Sequence, residues 1–118
     1  MIKKVYYLSS CDSCKNIIRR FNLQKRGFDL QDIKTEKITA SQLEAIKQLA
    51  GSYEDIFSRR SLQYRARGLK DMDLGEKDFK RLILEEYTFL KRPVVILGDK
   101  VFVGSDEKNL AALTKALD

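Results

Sequence analysis

A Cys-x-x-Cys motif, formed by Cys11 and Cys14, stands where an apolar run gives way to an amphipathic one. The residues from Lys3 to Leu8 are mostly β-branched, aromatic or aliphatic and predict a strand. After the motif, apolar side chains recur at helical spacing opposite two arginines, which predicts a helix from about Cys11 to Gln24 with Gly27 as its C-cap. We therefore expect the motif on a strand-to-helix turn, with Cys11 at or just before the helix start.

This position gives the first cysteine a specific chemistry. The first backbone N–H groups of a helix have no intrahelical partner, and the helix dipole is positive at that end. A thiolate there is stabilised, so we expect Cys11 to have a depressed pKa and to act as a nucleophile. Cys14 follows one turn later; we expect it to have a nearly ordinary pKa and to resolve a mixed disulfide on Cys11.

Two other interpretations of the cysteines remain open at this point. Both cysteines could be small buried apolar side chains. They could also form half of a zinc site, which would need two more ligands. The chain has no further cysteine and no histidine, so only carboxylates or a second chain could complete such a site. A redox motif is the favoured interpretation, and we expect no bound metal.

Size and composition indicate one globular domain. The chain has 118 residues, of which 43% are hydrophobic, enough for a core. No stretch approaches the roughly 20 apolar residues of a membrane span, and the first residues lack the apolar region of a signal peptide. We expect a cytoplasmic monomer that does not bind membranes, in a compartment where a thiol can cycle.

The net charge of +6 favours anionic partners, such as phosphate-like oxyanions, glutathione, nucleic acid or an acidic protein surface. The plainer explanation is a solvated, mildly basic surface. No zinc finger, RNP-type aromatic run or long basic tail occurs in the sequence, so we expect no direct contact with nucleic acid.

The two ends of the chain carry the strand patterns. Phe28 to Ile33 alternates apolar and polar residues, which predicts a second strand with one buried face, parallel to the first. After Pro93, the run Val94 to Leu97 predicts a buried strand. Gly98 to Lys100 predicts a tight hairpin into Val101 to Val103, and a last amphipathic helix follows.

The middle of the chain is predicted to be helical. Thr39 to Gln42 has the form of a capping box, and Gly51 would end that helix. An arginine-rich segment, Asp55 to Gly68, has a thin apolar face that includes Leu62. Glu76 to Leu90 is strongly amphipathic.

The order of elements predicts an α/β fold, β-α-β followed by β-β-α around a mixed sheet. A helical insertion of about residues 39–90 separates the two halves. Neither half could bury a core alone, so we expect a single domain over residues 1–118.

This pattern resembles the thioredoxin fold and, within it, the ArsC/Spx family. Four stretches carry the resemblance: Tyr7 to Cys11, Asp55 to Ser61, Arg92 to Ile96, and Val103-Gly104. The resemblance extends from Lys3 to Leu117, and the order and spacing of the stretches make it specific.

The resemblance assigns roles to individual residues. Cys11 matches the nucleophile, and Pro93 matches a cis-proline that faces it. Arg60 matches an arginine of the helical part, and Arg92 matches the arginine before the proline. The residues themselves suggest the same chemistry, because two guanidinium groups suit an oxyanion or a carboxylate, and the Ser13 hydroxyl could add a donor.

The family implies two kinds of function. One is an ArsC-like thiol-disulfide oxidoreductase of the arsenate reductase type, coupled to glutathione, glutaredoxin or thioredoxin and acting on a small anion or a protein disulfide. The alternative is an Spx-like redox-sensing regulator that binds the RNA polymerase α subunit. Of these two functions, we expect this protein to have the first, that of the oxidoreductase.

Two features distinguish between these members. The resemblance places a third arginine near the last strand, but the stretch Val101 to Asp106 contains none. In this respect, and in having Cys14, the sequence is closer to Spx. The absence of a long tail after the last helix favours the small reductase-like members.

The roles of the arginines lead to a binding prediction. Arg92→Ala is expected to weaken the binding of sulfate or arsenate more than Arg59→Ala does, because Arg92 is the arginine that we assign to the site. Isothermal titration of both variants measures this, and the reverse order of affinities would remove Arg92 from the site.

Overall fold

The computed structural model describes residues 1–118, which divide into two compact units. The sheet unit comprises Met1–Lys37 and Arg92–Asp118, and the helical unit comprises Ile38–Lys91. The bounds of the helical unit lie within one residue of those predicted for the helical insertion, about 39–90. That residues 1–118 form a single domain stays a prediction.

No helix in the structure combines the length and the apolar character that crossing a membrane would require.

The sheet unit contains four strands and two helices. The strands are β1 (Lys3–Tyr7), β2 (Asp29–Asp32), β3 (Val94–Leu97) and β4 (Lys100–Val103), and the helices are α1 (Asp12–Arg20) and α5 (Glu107–Leu117). In space the strands follow the order β2-β1-β3-β4. β1 and β2 are parallel and the other pairs are antiparallel, so the predicted mixed α/β sheet is confirmed.

One face of the sheet forms the core of this unit. Val5 lies opposite both Leu30 and Val95, and Val95 lies opposite Phe102, so these side chains project from the same face. They pack with apolar residues of the two helices in one cluster, which includes Ile17, Leu110 and Leu113. This packing fixes α1 against β1, and therefore fixes the turn between them.

The first helix ends earlier than the sequence predicts. α1 stops at Arg20, and Asn22 has a positive φ of 52°. The N–H of Asn22 donates to the Arg19 carbonyl and that of Leu23 to the Ile18 carbonyl, at 3.1 and 3.0 Å. This is a Schellman cap with asparagine in the left-handed position. The helix predicted to Gln24, with its C-cap at Gly27, was therefore wrong.

The second strand is covered on both faces, whereas its pattern predicted one buried face. Leu30 packs against the core cluster, yet Gln31 on the opposite face is only 1% exposed. Gln31 donates from Nε2 to the carbonyl of Glu36 at 3.1 Å, so the segment after the strand satisfies this buried amide.

The helical unit begins with a capped helix, as predicted. α2 (Ala40–Ala50) has Thr39 as its N-cap. The Thr39 hydroxyl accepts from the N–H of Gln42 at 3.0 Å, and the Gln42 side chain accepts from the N–H of Thr39 at 3.1 Å. Gly51, with a φ of 108°, ends the helix. The predicted capping box and terminating glycine are confirmed.

The remaining helices of this unit are α3 (Leu62–Ala66) and α4 (Glu76–Glu85), with 3₁₀ turns at Glu54–Ile56, Leu69–Asp71 and Tyr87–Phe89.

The arginine-rich segment is not one helix. Phe57 is extended and forms an isolated antiparallel bridge with Leu90. Next to it, the N–H of Ser58 donates to the carbonyl of Phe89 at 2.7 Å. The helical character predicted for this middle part of the chain is therefore interrupted at Phe57 and Ser58, because their bonds to Leu90 and Phe89 require extended backbone there.

The helix predicted over Glu76 to Leu90 also ends early, at Glu85. Glu86 is extended, with φ −138° and ψ 111°, and its carboxylate accepts from the N–H and hydroxyl of Thr88. The chain then turns toward the bridge at Leu90. The helical pattern of apolar residues continues past Glu85, because the aromatic residues of the 3₁₀ turn Tyr87–Phe89 follow the apolar residues of α4 at nearly helical spacing.

Two leucines test the packing of the chain. Leu113 is fully buried, whereas Leu62, which the sequence placed on an apolar face, is 85% exposed. Leu113→Ala is expected to lower the free energy of unfolding by about 2–5 kcal/mol, and Leu62→Ala by less than about 0.5 kcal/mol. Urea denaturation followed by circular dichroism measures both, and equal losses would contradict the assignment of Leu113 to the core.

Candidate active site

Cys11 is the N-cap residue of α1, as predicted. Its N–H donates to the Leu8 carbonyl at 3.0 Å, and its carbonyl accepts the first helical bond from Lys15 at 3.2 Å. Cys11 is partly exposed, and both cysteines are free thiols. The turn therefore presents the Cys11 sulfur at the positive end of the helix dipole.

The pKa of Cys11 is lowered from its ordinary value. Partial burial alone would raise the pKa. Hydrogen bonds from the thiol and the backbone N–H of Cys14 outweigh that effect, and the charge and hydrogen bonding of Arg92 add to them. These groups stabilise the thiolate, so more of the Cys11 sulfur is nucleophilic at neutral pH than in a free cysteine.

The second cysteine behaves differently from our expectation. Cys14 is 0% exposed, and burial, the hydrogen bond to Cys11 and the Cys11 charge raise its pKa to about 12. A backbone hydrogen bond at Leu8 and the charge of Arg92 offset this only in part. The nearly ordinary pKa predicted for Cys14 was wrong. Cys14 lies three residues before buried Ile17, and this spacing was a readable signal that it faces the core.

Arg92 and Pro93 lie at the start of β3. The Arg92–Pro93 peptide bond is cis, as the resemblance implies, and the Pro93 carbonyl accepts from the N–H of Gly104 at 2.9 Å. Arg92 is partly buried, and its charge lowers the pKa of both thiols. The structure thus brings together Cys11, Cys14 and Arg92 within the sheet unit.

The other two predicted binding residues lie in different settings. Ser13 is exposed in the first turn of α1. Arg60 is exposed in the helical unit, in the turn before α3, next to Ser61, which caps that helix. A role for Ser13 or Arg60 in binding stays a prediction.

Sequence reasoning missed Asp32, the last residue of β2. Its Oδ1 accepts from the N–H groups of Ser9 and Lys34 at 3.2 and 3.1 Å. Partial burial opposes ionisation, but hydrogen bonds from Ser9 and Lys34, with the Lys34 charge, lower the pKa of Asp32. The carboxylate therefore holds the loop that leads to Cys11. The signal was an aspartate at the carboxyl end of a strand parallel to β1.

No group of three or more His, Cys, Asp or Glu side chains is arranged to hold a metal ion. The two further ligands that a zinc site at Cys11 and Cys14 would need are therefore not assembled around them.

Comparison with known proteins identifies one family and several solved structures of the same fold. The model of the ArsC family matches residues 6–113. Among solved structures, the YFFB (PA3664) protein is 25% identical with a TM-score of 0.83, over 98% of this chain and 99% of that one. No curated protein sequence matches the chain.

Two further solved structures share the fold at lower identity. The arsenate reductase from Vibrio cholerae is 14% identical with a TM-score of 0.76, over 97% of this chain and 98% of that one. An arsenate reductase (ArsC) related protein from Brucella melitensis is 21% identical with a TM-score of 0.69, over 98% and 96%. The predicted thioredoxin-like α/β fold is confirmed.

The two cysteines are expected to titrate far apart. In Cys14→Ser, alkylation of Cys11 should reach half its maximal rate below the free-cysteine pKa of about 8.5, because a serine hydroxyl can replace the donated hydrogen bond. In Cys11→Ser, Cys14 should stay unreactive at pH 9, since burial still raises its pKa. Iodoacetamide rates against pH measure both.

Alkylation of the same variants in urea provides the control, because both thiols should then titrate near the ordinary value. Equal midpoints for the two cysteines in the folded protein would contradict the assignment of Cys11 as the activated thiol.

Proposed function

The chain belongs to the ArsC family, and from that membership and the geometry at Cys11 we propose that it is a thiol-dependent oxidoreductase with Cys11 as its nucleophile. The observation that carries the proposal is a partly exposed sulfur whose pKa is lowered by donors from Cys14 and by Arg92. Perturbed thiols of this kind are the ones that enzymes use for covalent catalysis.

The first step is attack by the Cys11 thiolate on a sulfur of a disulfide substrate. A bond forms between the two sulfurs, the disulfide bond of the substrate breaks, and one half leaves as a thiolate with the electron pair. Arg92 lies where it can attract an anionic substrate and neutralise the departing charge. The product is a mixed disulfide on Cys11.

In the second step another thiolate attacks the mixed disulfide, forms a new disulfide with the sulfur that it attacks, and displaces the other sulfur as a thiolate with its electron pair. Attack on the sulfur that came from the substrate releases the Cys11 thiolate directly, whereas attack by Cys14 on the Cys11 sulfur releases the substrate thiolate and leaves a Cys11–Cys14 disulfide to be reduced. Cys14 is the internal candidate, but a buried thiol with a pKa of about 12 is almost fully protonated at neutral pH. Once Cys11 is in a disulfide, the repulsion from its thiolate disappears, while the cost of burying a charge on Cys14 remains. We therefore propose that an external thiol, supplied by glutathione, glutaredoxin or thioredoxin, carries most of the flux.

We propose a disulfide as the substrate in preference to arsenate. A tetrahedral oxyanion with several charges needs several cationic partners, and β4 with the residues after it, up to Asp106, contributes no arginine. One guanidinium group beside the sulfur is sufficient for a thiolate leaving group. Because two structural relatives are named as arsenate reductase or as related to it, arsenate is the alternative substrate that we compare with a disulfide.

One observation supports the regulator as a second candidate. The two thiols shift each other's pKa, so the sulfurs of Cys11 and Cys14 are neighbours, and a disulfide between them is the oxidised form that we consider. Such a disulfide could switch a protein-binding surface, as in an Spx-like protein that binds the RNA polymerase α subunit. Co-purification with polymerase only under oxidising conditions would favour this role.

Turnover assays test the enzymatic role. With glutathione as reductant, the wild type should turn over a small disulfide faster than arsenate. Cys11→Ser should reduce that activity by at least about 100-fold, because the covalent step is lost. Cys14→Ser should retain activity within about a factor of five, since resolution is external and serine keeps the hydrogen bond to Cys11.

Both variants should keep the circular dichroism spectrum of the wild type, which controls for folding. Unchanged turnover in Cys11→Ser would overturn the proposed function. Loss of turnover in Cys14→Ser with glutathione present would instead make Cys14 the resolving residue.

A further inference from the structure

A groove of about 370 Å³ runs along α1 on the side of the sheet edge formed by β2. Its charged rim is formed by Lys15, Arg19 and Lys25, and its floor includes Ile18 and Leu30. This volume is in the range of sites for small molecules, about 300–1,000 Å³. The groove lies wholly within the sheet unit.

The positive charge of the groove is largely uncompensated. Arg19 and Lys25 form no ion pair, and Lys15 makes only a long contact of 3.7 Å with the exposed carboxylate of Asp12. None of the residues that line the groove is acidic. Three cations around one cavity create a local positive potential that attracts anions.

The floor has a different character from the rim. Ile18 and Leu30 are half-buried and pack against the core cluster, so they present apolar surface to the cavity. A bare inorganic anion would gain nothing from this floor. The combination of apolar floor and cationic rim instead suits an organic anion, in which an apolar body carries a carboxylate.

The groove is connected to the nucleophile through α1. Cys11, Lys15 and Ile18 stand at positions i, i+4 and i+7, so they share one stripe of the helix. Ser9, two residues before Cys11, also lines the groove, and its N–H is held by Asp32 at 3.2 Å. A molecule joined to Cys11 could therefore extend along this stripe into the groove.

We propose that the groove binds the organic part of the disulfide that reacts with Cys11, and that this part carries a carboxylate. The inference rests on the proposed function and adds a substrate class to it. The reaction is the attack already described: Cys11 is oxidised to the mixed disulfide, the attacked disulfide is reduced, and one thiolate departs. Ile18 and Leu30 contact the apolar body, while Arg19 and Lys25 contact the carboxylate.

Two aromatic disulfides of similar shape test this directly. Dithiobis(nitrobenzoate) carries a carboxylate on each ring, whereas dithiodipyridine is neutral at pH 7. Both release a coloured thiol when Cys11 attacks, so stopped-flow absorbance gives the second-order rate. The test variant is Arg19→Gln with Lys25→Gln, and the matched control is Arg20→Gln with Lys115→Gln, which removes the same charge from exposed positions outside the groove.

The test variant should react with the anionic reagent at least about threefold more slowly than the wild type, as expected for two partly exposed charge contacts. Its rate with the neutral reagent should stay within about a factor of 1.5. The control variant should react with each of the two reagents at a rate within about a factor of 1.5 of the wild type. A neutral reagent that is slowed equally, or a control that behaves like the test variant, would overturn the proposal.

Failure of the proposed function would look different. If Cys11 is not the nucleophile, Cys11→Ser will react with both reagents as the wild type does. If Cys11 is the nucleophile but the groove is not used, Cys11→Ser will lose both reactions while the test variant behaves like the control.

Discussion

The difference in burial between the two thiols of the Cys-x-x-Cys turn is the constraint on which the proposed chemistry depends. Cys14 is enclosed and Cys11 is partly open, so burial raises the pKa of Cys14 far more than that of Cys11. The interaction between the two thiols increases the difference, because it lowers the pKa of Cys11 and raises that of Cys14. One sulfur is thus prepared to react, and the other holds a proton near it.

The surrounding fold maintains this inequality. The core packs α1 against β1, which positions the turn, and Asp32 fixes the approach to the turn from the neighbouring strand. The cis peptide bond at Pro93 starts β3, which is paired directly with β1, and Arg92 precedes it. The elements that place the sulfur and its cation are therefore adjacent in the sheet, although they lie about 80 residues apart in the sequence.

The sequence was sufficient to predict the strands of the sheet and the position of Cys11 at the start of α1, because local patterns determine both. Alternation, the hairpin glycine and the capping box each specify backbone that neighbouring residues determine. Some errors arose where distant partners decide: the bridge between Phe57 and Leu90 requires extended backbone where the pattern of Glu76 to Leu90 predicted a helix. Others were local, because the cap at Asn22 ends α1 early and the spacing of Cys14 from Ile17 already indicated burial. Asp32 escaped notice because its partner Ser9 becomes a neighbour only after β1 and β2 pair.

The strand order leaves β2 and β4 at the borders of the sheet, each four residues long. Such borders expose backbone groups onto which a strand from another molecule can add. Asp29 and Lys100 place exposed charges on these two strands. A strand from a second chain that paired there would have to accommodate these charges, and charged side chains on short border strands are one means by which sheets disfavour such pairing.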